Sequence, residues 1–178
     1  MNSISEVITG KPVLPSRFIS EDYDRFLFFD FFIRTAFAFF GVVQDAVLHR
    51  QGIDVYSADT LKSLAVISSS ESWVERLKIL DGNLLNVGDP FGFIIVSDEK
   101  RWIMAQDMPV NWGILAFRSN DAEMTSIFAA LKQDWFLSLG DFVEAQRDSN
   151  SMLHEVFDRD FINQIIKNYG LRAQSCPS

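Results

Sequence analysis

The densest hydrophobic run of the chain lies between Arg25 and Val43, RFLFFDFFIRTAFAFFGVV, and holds eight of the seventeen phenylalanines. It does not alternate apolar with polar residues as a half-buried strand does, and it is too long for one ordinary strand. Its spacing predicts one buried helix over about 21–43, with Ser20 as N-cap and Glu21, Asp22 and Asp24 near the first turn. On that helix the polar positions reduce to a narrow line from Asp30 to Arg34, on an otherwise apolar cylinder. Spaced i, i+4 with the acid first, the two read either as a boundary ion pair or as a polar anchor facing a cleft. A cavity beside Phe32 and Phe39 would point to an apolar ligand. The same two charges argue against a membrane span. Each costs roughly 2.5–3.5 kcal/mol at the centre of a bilayer, and each Phe returns only a few tenths.

Further along, Leu61, Leu64 and Ala65 predict a helix over Ser57–Ile67. Ser72 and Glu75 form a capping box before WVERLKIL, and Asp81-Gly82-Asn83 supplies turn chemistry to end that helix. Three strands then follow as a meander: FGFIIVSD (Phe91–Asp98), RWIMAQD (Arg101–Asp107) and NWGILAFR (Asn111–Arg118). The first and third are apolar on both faces, which predicts a sheet covered on both sides. Three strands make a narrow sheet, and Val13–Ile19 and Leu84–Val87 are candidates for another. Helices are expected after Asn120, over Trp135–Gln146, and over Met152–Tyr169 with Gly170 as C-cap. The fold class is α+β in a single domain, residues 1–178. An antiparallel sheet of three or more strands, about 91–118, packs with the Phe-rich helix and the C-terminal helices.

Charge narrows the range of functions. The formal net charge is −8 and the pI about 4.7. Such a surface repels the phosphates of nucleic acid and of anionic membranes and favours a basic partner. The N-terminus lacks a continuous apolar segment of the secretory kind, so the cytoplasm is the expected compartment. The single cysteine, Cys176, allows no internal disulfide. His49 and His154 stand far apart without metal-ligand spacing, and no nucleophile elbow, phosphate loop or dinucleotide fingerprint is present. No cofactor, metal or catalytic residue is therefore assigned. An enzyme with a carboxylate-based site that leaves no motif is the alternative, and a charge-mimicking regulatory subunit is a third.

The acids are unevenly spread. From Asp121 to Asp160 there are nine acids against three bases. Asp141, Glu144, Asp148, Glu155, Asp158 and Asp160 fall on two successive helices and their connection, either as a solvated face or as a docking surface for a basic protein. Asp98 and Glu99 at the first hairpin tip, with Asp107 at the next turn, are a second acidic candidate. The partner-binding set is thus Asp141, Glu144, Asp148, Glu155, Asp158, Asp98 and Glu99. Charge reversal at Asp141, Glu144 and Glu155 is expected to leave stability nearly unchanged and to abolish binding. Trp102, Trp112 and Trp135 read first as core residues and second as interface anchors.

In its general profile, and in the segment FIIVSDEKRWIMAQDMPVNWGILAFR as a strand meander followed by helices, the chain resembles bacterial toxin-immunity proteins of the contact-dependent growth inhibition type. That resemblance implies a small, soluble, acidic cytoplasmic protein without catalytic function. It implies as partner a toxin, often a nuclease with a basic active site, blocked by occlusion through acidic side chains.

Overall fold

A computed structural model describes residues 4–48, 50–88, 92–106, 112–131 and 135–170. His49, Cys176 and Asp107 lie outside these residues. The centre is one seven-stranded sheet: β1 (Arg25–Phe29), β2 (Ile53–Ser57), β3 (Ser63–Ile67), β4 (Phe93–Ser97), β5 (Trp102–Ala105), β6 (Gly113–Phe117) and β7 (Leu137–Ser138). The spatial order is β3-β2-β4-β5-β6-β1-β7, and every pairing is antiparallel. The α+β class and the meander β4–β5–β6 agree with the sequence. Strands β4, β5 and β6 are buried along their whole length, as their two-sided apolarity requires.

Each face of the sheet carries its own core. One is covered by α1 (Phe37–Ala46), α2 (Trp73–Asn86) and α3 (Ala122–Ala130). The other is covered by the N-terminal segment, α4 (Leu139–Arg147) and α5 (Arg159–Tyr169). The N-terminal segment is tied to α5 by polar contacts. Tyr169 donates to Ser16 O at 2.7 Å, Arg17 to Asn168 O at 3.0 Å, and Asn168 to Pro15 O at 2.8 Å. Burial pushes the Tyr169 hydroxyl above its ordinary pKa, so it remains a donor. Among the described residues no helix is long and apolar enough to cross a membrane.

The Phe-rich stretch is not one helix over 21–43. Arg25–Phe29 is a strand, Ile33–Thr35 is a single 3-10 turn, and the helix begins only at Phe37. In β1 successive rings go to opposite cores. Phe26 and Phe28 meet Tyr169 at 5.1 and 5.6 Å on one side, and Phe29 stacks on Phe31 at 4.5 Å on the other. A strand covered on both faces has no polar alternate, which removes the period-2 signal. The Asp30–Arg34 pair predicted from i, i+4 spacing is absent as well, because no helix places the two together. Arg34 is 2% exposed and donates to the Asp81 carboxylate at 2.6 Å, with its guanidinium over the Phe93 ring at 5.4 Å.

Other expectations are corrected by local chemistry. Ser57–Ile67 is the β2–β3 hairpin, turned through Leu61 at φ 56°. Neither predicted additional strand joins the sheet: Ile19 makes one isolated bridge to Ile8, and Leu84–Asn86 complete α2. α2 continues past the Asp-Gly-Asn triplet to Asn86, and Asp81 is held by Arg34. Of its predicted capping box the Ser72 half stands, with Ser72 accepting from Glu75 N, while the Glu75 carboxylate accepts from Lys78 at 3.0 Å. Asp121 rather than Asn120 caps α3, accepting from Met124 N at 3.0 Å. The segment 135–146 spends Leu137–Ser138 on β7 before α4 starts. The segment 152–169 is a 3-10 turn, Met152–Glu155, followed by α5 with Gly170 at its C-cap.

Candidate functional site

After β1 the chain leaves the sheet at Asp30 and must turn before α1. A buried amide fixes that turn. Gln106, at the end of β5 and 1% exposed, accepts from Ile33 N at 2.8 Å and donates to Phe31 O at 2.9 Å. Satisfying both backbone groups with one side chain lets an irregular segment lie against the core without orphaned polar atoms. It also sets Asp30, Phe31 and Phe32 at the rim of an open cleft of about 310 Å³, completed by Thr35, Phe39 and Trp135.

Phe31 is the hub of the cleft's wall. Its ring lies 5.5 Å from Phe39, 5.9 Å from Phe136 and 6.3 Å from Trp135, and Phe39 lies 5.8 Å from Trp135. Most of these contacts are tilted or edge-on, the arrangement the ring quadrupoles favour. Phe32 is 36% exposed. A second hollow of about 210 Å³ shares Asp30 and Trp135 with the cleft and adds Trp112 to its wall. Asp30 is exposed and, among the described residues, holds no hydrogen-bond or ion-pair partner. Aromatic faces beside a free carboxylate attract cations twice over, through the ring quadrupoles and through the charge. A volume near the lower end of the roughly 300–1,000 Å³ range of ligand sites suits one side chain or a small ligand. Of the cleft's side chains the Asp30 carboxylate, the Thr35 hydroxyl and the Trp135 indole N–H carry polar atoms, and Thr35 donates to Phe32 O at 3.3 Å. A larger hollow of about 480 Å³ lies beyond Phe136, but its polar groups, Ser138 and Asp141, are bonded to each other.

The predicted acidic residues divide into two kinds. Asp141 belongs to a capping box: it accepts from Ser138 N at 2.6 Å while Ser138 accepts from Asp141 N. Asp158 caps α5, accepting from Phe161 N at 2.7 Å, and Asp148 accepts from Asn150 N at 2.9 Å. Asp98 accepts from Gly52 N and Glu99 N, both at 2.9 Å, and so ties the β4–β5 turn to the start of β2. Near it, burial first and the Asp98 charge second raise the Asp54 carboxyl above its usual range. Glu99, Glu144 and Glu155 are exposed and, among the described residues, without a partner. The expectation that charge reversal at Asp141 leaves stability unchanged is therefore corrected, since losing such a cap costs about 1 kcal/mol. Asp98 and Glu99 sit on a sheet hairpin and the other five on the α4–α5 layer, so the seven belong to two separate elements.

His154 is half-buried, with Nε2 donating to Ala145 O at 2.9 Å. Trp102 is buried, donating to Gln51 at 3.2 Å, while Trp112 and Trp135 remain partly exposed. No group of three or more metal-ligating side chains occurs among the described residues. The sequence had flagged Asp30, Phe32 and Phe39 as the residues a cleft would involve. It held no signal joining Trp135 to them, because that contact spans most of the sheet in chain order. No family model, curated protein or solved structure matches the chain.

Proposed function

We propose that this is a small binding protein that docks a basic protein partner, with the aromatic cleft receiving one lysine or arginine side chain of that partner. One observation carries the proposal. Asp30, free of any partner among the described residues, stands at an open cleft walled by Phe31, Phe32, Phe39 and Trp135. A net charge of −8 would speed encounter with a basic surface, and the cleft would supply the desolvated anchor that charge alone does not. Glu99, Glu144 and Glu155 can add long-range attraction without giving up a structural duty. In its finer form the partner is a bacterial toxin and the chain its cytoplasmic immunity protein, acting by occlusion.

The test uses a lysine-rich peptide and a tetramethylammonium salt, followed through the indole resonances of Trp135 and Trp112. Saturable shifts at Trp135 are expected. Asp30→Asn and Trp135→Leu should each weaken binding about tenfold, the scale of one desolvated cation–π contact. Equal binding of a neutral isostere of tetramethylammonium would overturn the cationic reading, as would shifts indifferent to both substitutions. The immunity form predicts that a toxin domain from the adjacent coding region loses activity on adding the chain and regains it with Asp30→Asn/Trp135→Leu.

A further inference from the structure

On the opposite layer, the connection between α4 and α5 borders an open hollow of about 360 Å³ whose lining is mainly polar. Arg147, the last residue of α4, and Arg159, the first of α5, both line it, together with His154, Gln146 and Asn163 over the buried Ile162. None of the six acids between Asp141 and Asp160 does. In a chain with an excess of eight negative charges, two arginines sharing a hollow would ordinarily be neutralised by neighbouring carboxylates. Here they are not. Among the described residues neither guanidinium has an ion-pair or hydrogen-bond partner, while Asp148 and Asp158, each one residue away in sequence, are committed to backbone N–H groups.

Arg147 alone could be explained as a cation complementing the C-terminal end of α4. Arg159 has no such explanation, because the first turn of a helix disfavours a cation. The walls are also fixed. Gln146 donates to Asn163 at 2.7 Å across the two helices, and the His154 ring is anchored by Nε2 on Ala145 O.

We infer that this hollow is an oxyanion site for a phosphate monoester, clamped between Arg147 and Arg159. Two guanidinium forks match the roughly −1.5 to −2 charge and the three terminal oxygens of such a group better than they match a single carboxylate. A volume larger than a bare phosphate leaves room for the start of the group that carries it. The site is independent of the aromatic cleft and does not rest on the function proposed for that cleft.

The probes are inorganic phosphate, O-phosphoserine, serine and acetate, titrated at constant ionic strength into the isotopically labelled protein, with the side-chain resonances of Arg147, Arg159 and His154 as readout. Saturable shifts at these three residues are expected with phosphate and O-phosphoserine, the monoester tighter, and not with serine. Arg147→Gln and Arg159→Gln should each weaken binding about tenfold, as loss of one charge-assisted fork implies, while Lys62→Gln leaves it unchanged. Both arginines are exposed, so the variants should keep the wild-type circular dichroism. Acetate binding as tightly as O-phosphoserine would overturn the phosphate assignment. Linear, unsaturating shifts, or affinity unchanged in both arginine variants, would overturn the site.

Discussion

The cleft's geometry depends on a glycine that does not line it. Gly113 of β6 stands opposite Phe29 of β1 in the antiparallel register, and the Phe29 ring lies over the space a side chain would fill. A Cβ added at Gly113 would come within 2.5 Å of Phe29 Cε2 and 2.8 Å of Ala105 O. The carbonyl belongs to β5 and cannot retreat without breaking the sheet, so the ring must move. It has little room to do so: Phe29 is 1% exposed, stacked on Phe31 at 4.5 Å and met edge-on by Phe136 at 6.2 Å. Gly113→Ala should therefore incur overpacking toward the upper end of the usual 1–3 kcal/mol range, about 3 kcal/mol. The ordinary gain of replacing glycine in a strand offsets roughly 0.5–1 kcal/mol. A net loss of about 2 kcal/mol remains, or about 4–8 °C in Tm for a chain of this size.

Urea denaturation of a four-member cycle separates this account from a general intolerance of the site. Phe29→Ala alone should cost about 3–5 kcal/mol, since it leaves a cavity in a packed core. In that background the added methyl at residue 113 enters the vacated space. The cost of Gly113→Ala should then fall by at least half, leaving only the contact with Ala105 O; Phe29→Leu serves as the background if Phe29→Ala does not fold. Affinity for tetramethylammonium should fall with Gly113→Ala, because displacing Phe29 displaces Phe31. Equal destabilisation by Gly113→Ala with and without the Phe29 ring would falsify the reasoning, since it would place the cost in the backbone.

Two further outcomes follow from the paired charges. Asp81→Leu takes from the buried Arg34 guanidinium its Asp81 carboxylate, and should cost about 3 kcal/mol in chemical denaturation; the double change Arg34→Met/Asp81→Leu should be the more stable of the two, and the reverse order would show that the pair, not its disruption, sets the energy. Hydrogen bonds from Arg101, against desolvation by partial burial, hold the Asp121 carboxyl below its usual pKa, which signals a pH-dependent contribution. A depressed folded-state value stabilises the protein fully above the unfolded pKa of about 4 and loses that stabilisation as pH falls through the folded value. Asp121→Asn, which keeps a competent N-cap, should then be about 1 kcal/mol less stable than wild type at pH 7, with the gap closing below about pH 4; a gap constant with pH would mean that the Arg101 pair contributes nothing.

The parts of the fold legible in the sequence are those where local chemistry and tertiary environment agree. The β4–β5–β6 meander shows β-branched runs separated by turn residues, and Ser72 announces α2 because its hydroxyl does cap it. The stretch around Phe26–Phe40 misleads because phenylalanine serves strand and helix equally once both faces are covered. At Ser57–Ile67 the apparent helical spacing is an accident of an edge hairpin, where Leu61 sits in a left-handed turn and Val66 points to solvent. The site was legible only in outline. Asp30 could be marked as a polar break beside Phe32 and Phe39, but its predicted partner Arg34 is drawn into the core by Asp81, and that exchange is what leaves the Asp30 carboxylate free.

Freedom of a charge is the property that separates surface from scaffold here, and composition does not report it. Asp141 and Asp158 hold helix N-termini, Asp98 holds Gly52 N, Asp121 holds Arg101, and Asp81 holds Arg34. A partner that recruited any of these would have to replace an existing bond, and the gain at the interface would be offset by the loss within the fold. Among the described residues the charges without such a duty include Asp30, Glu99, Glu144, Glu155, Arg147 and Arg159, and these can be engaged without that offset. Within this group Asp30 alone is joined to aromatic walls, and the two arginines alone share a hollow. Recognition that excludes water requires such enclosure as well as charge, because an exposed ion pair contributes at most about 1 kcal/mol. On the proposed reading the acidic helices would set the sign and reach of the field, and the specificity of binding would fall to the two concave sites.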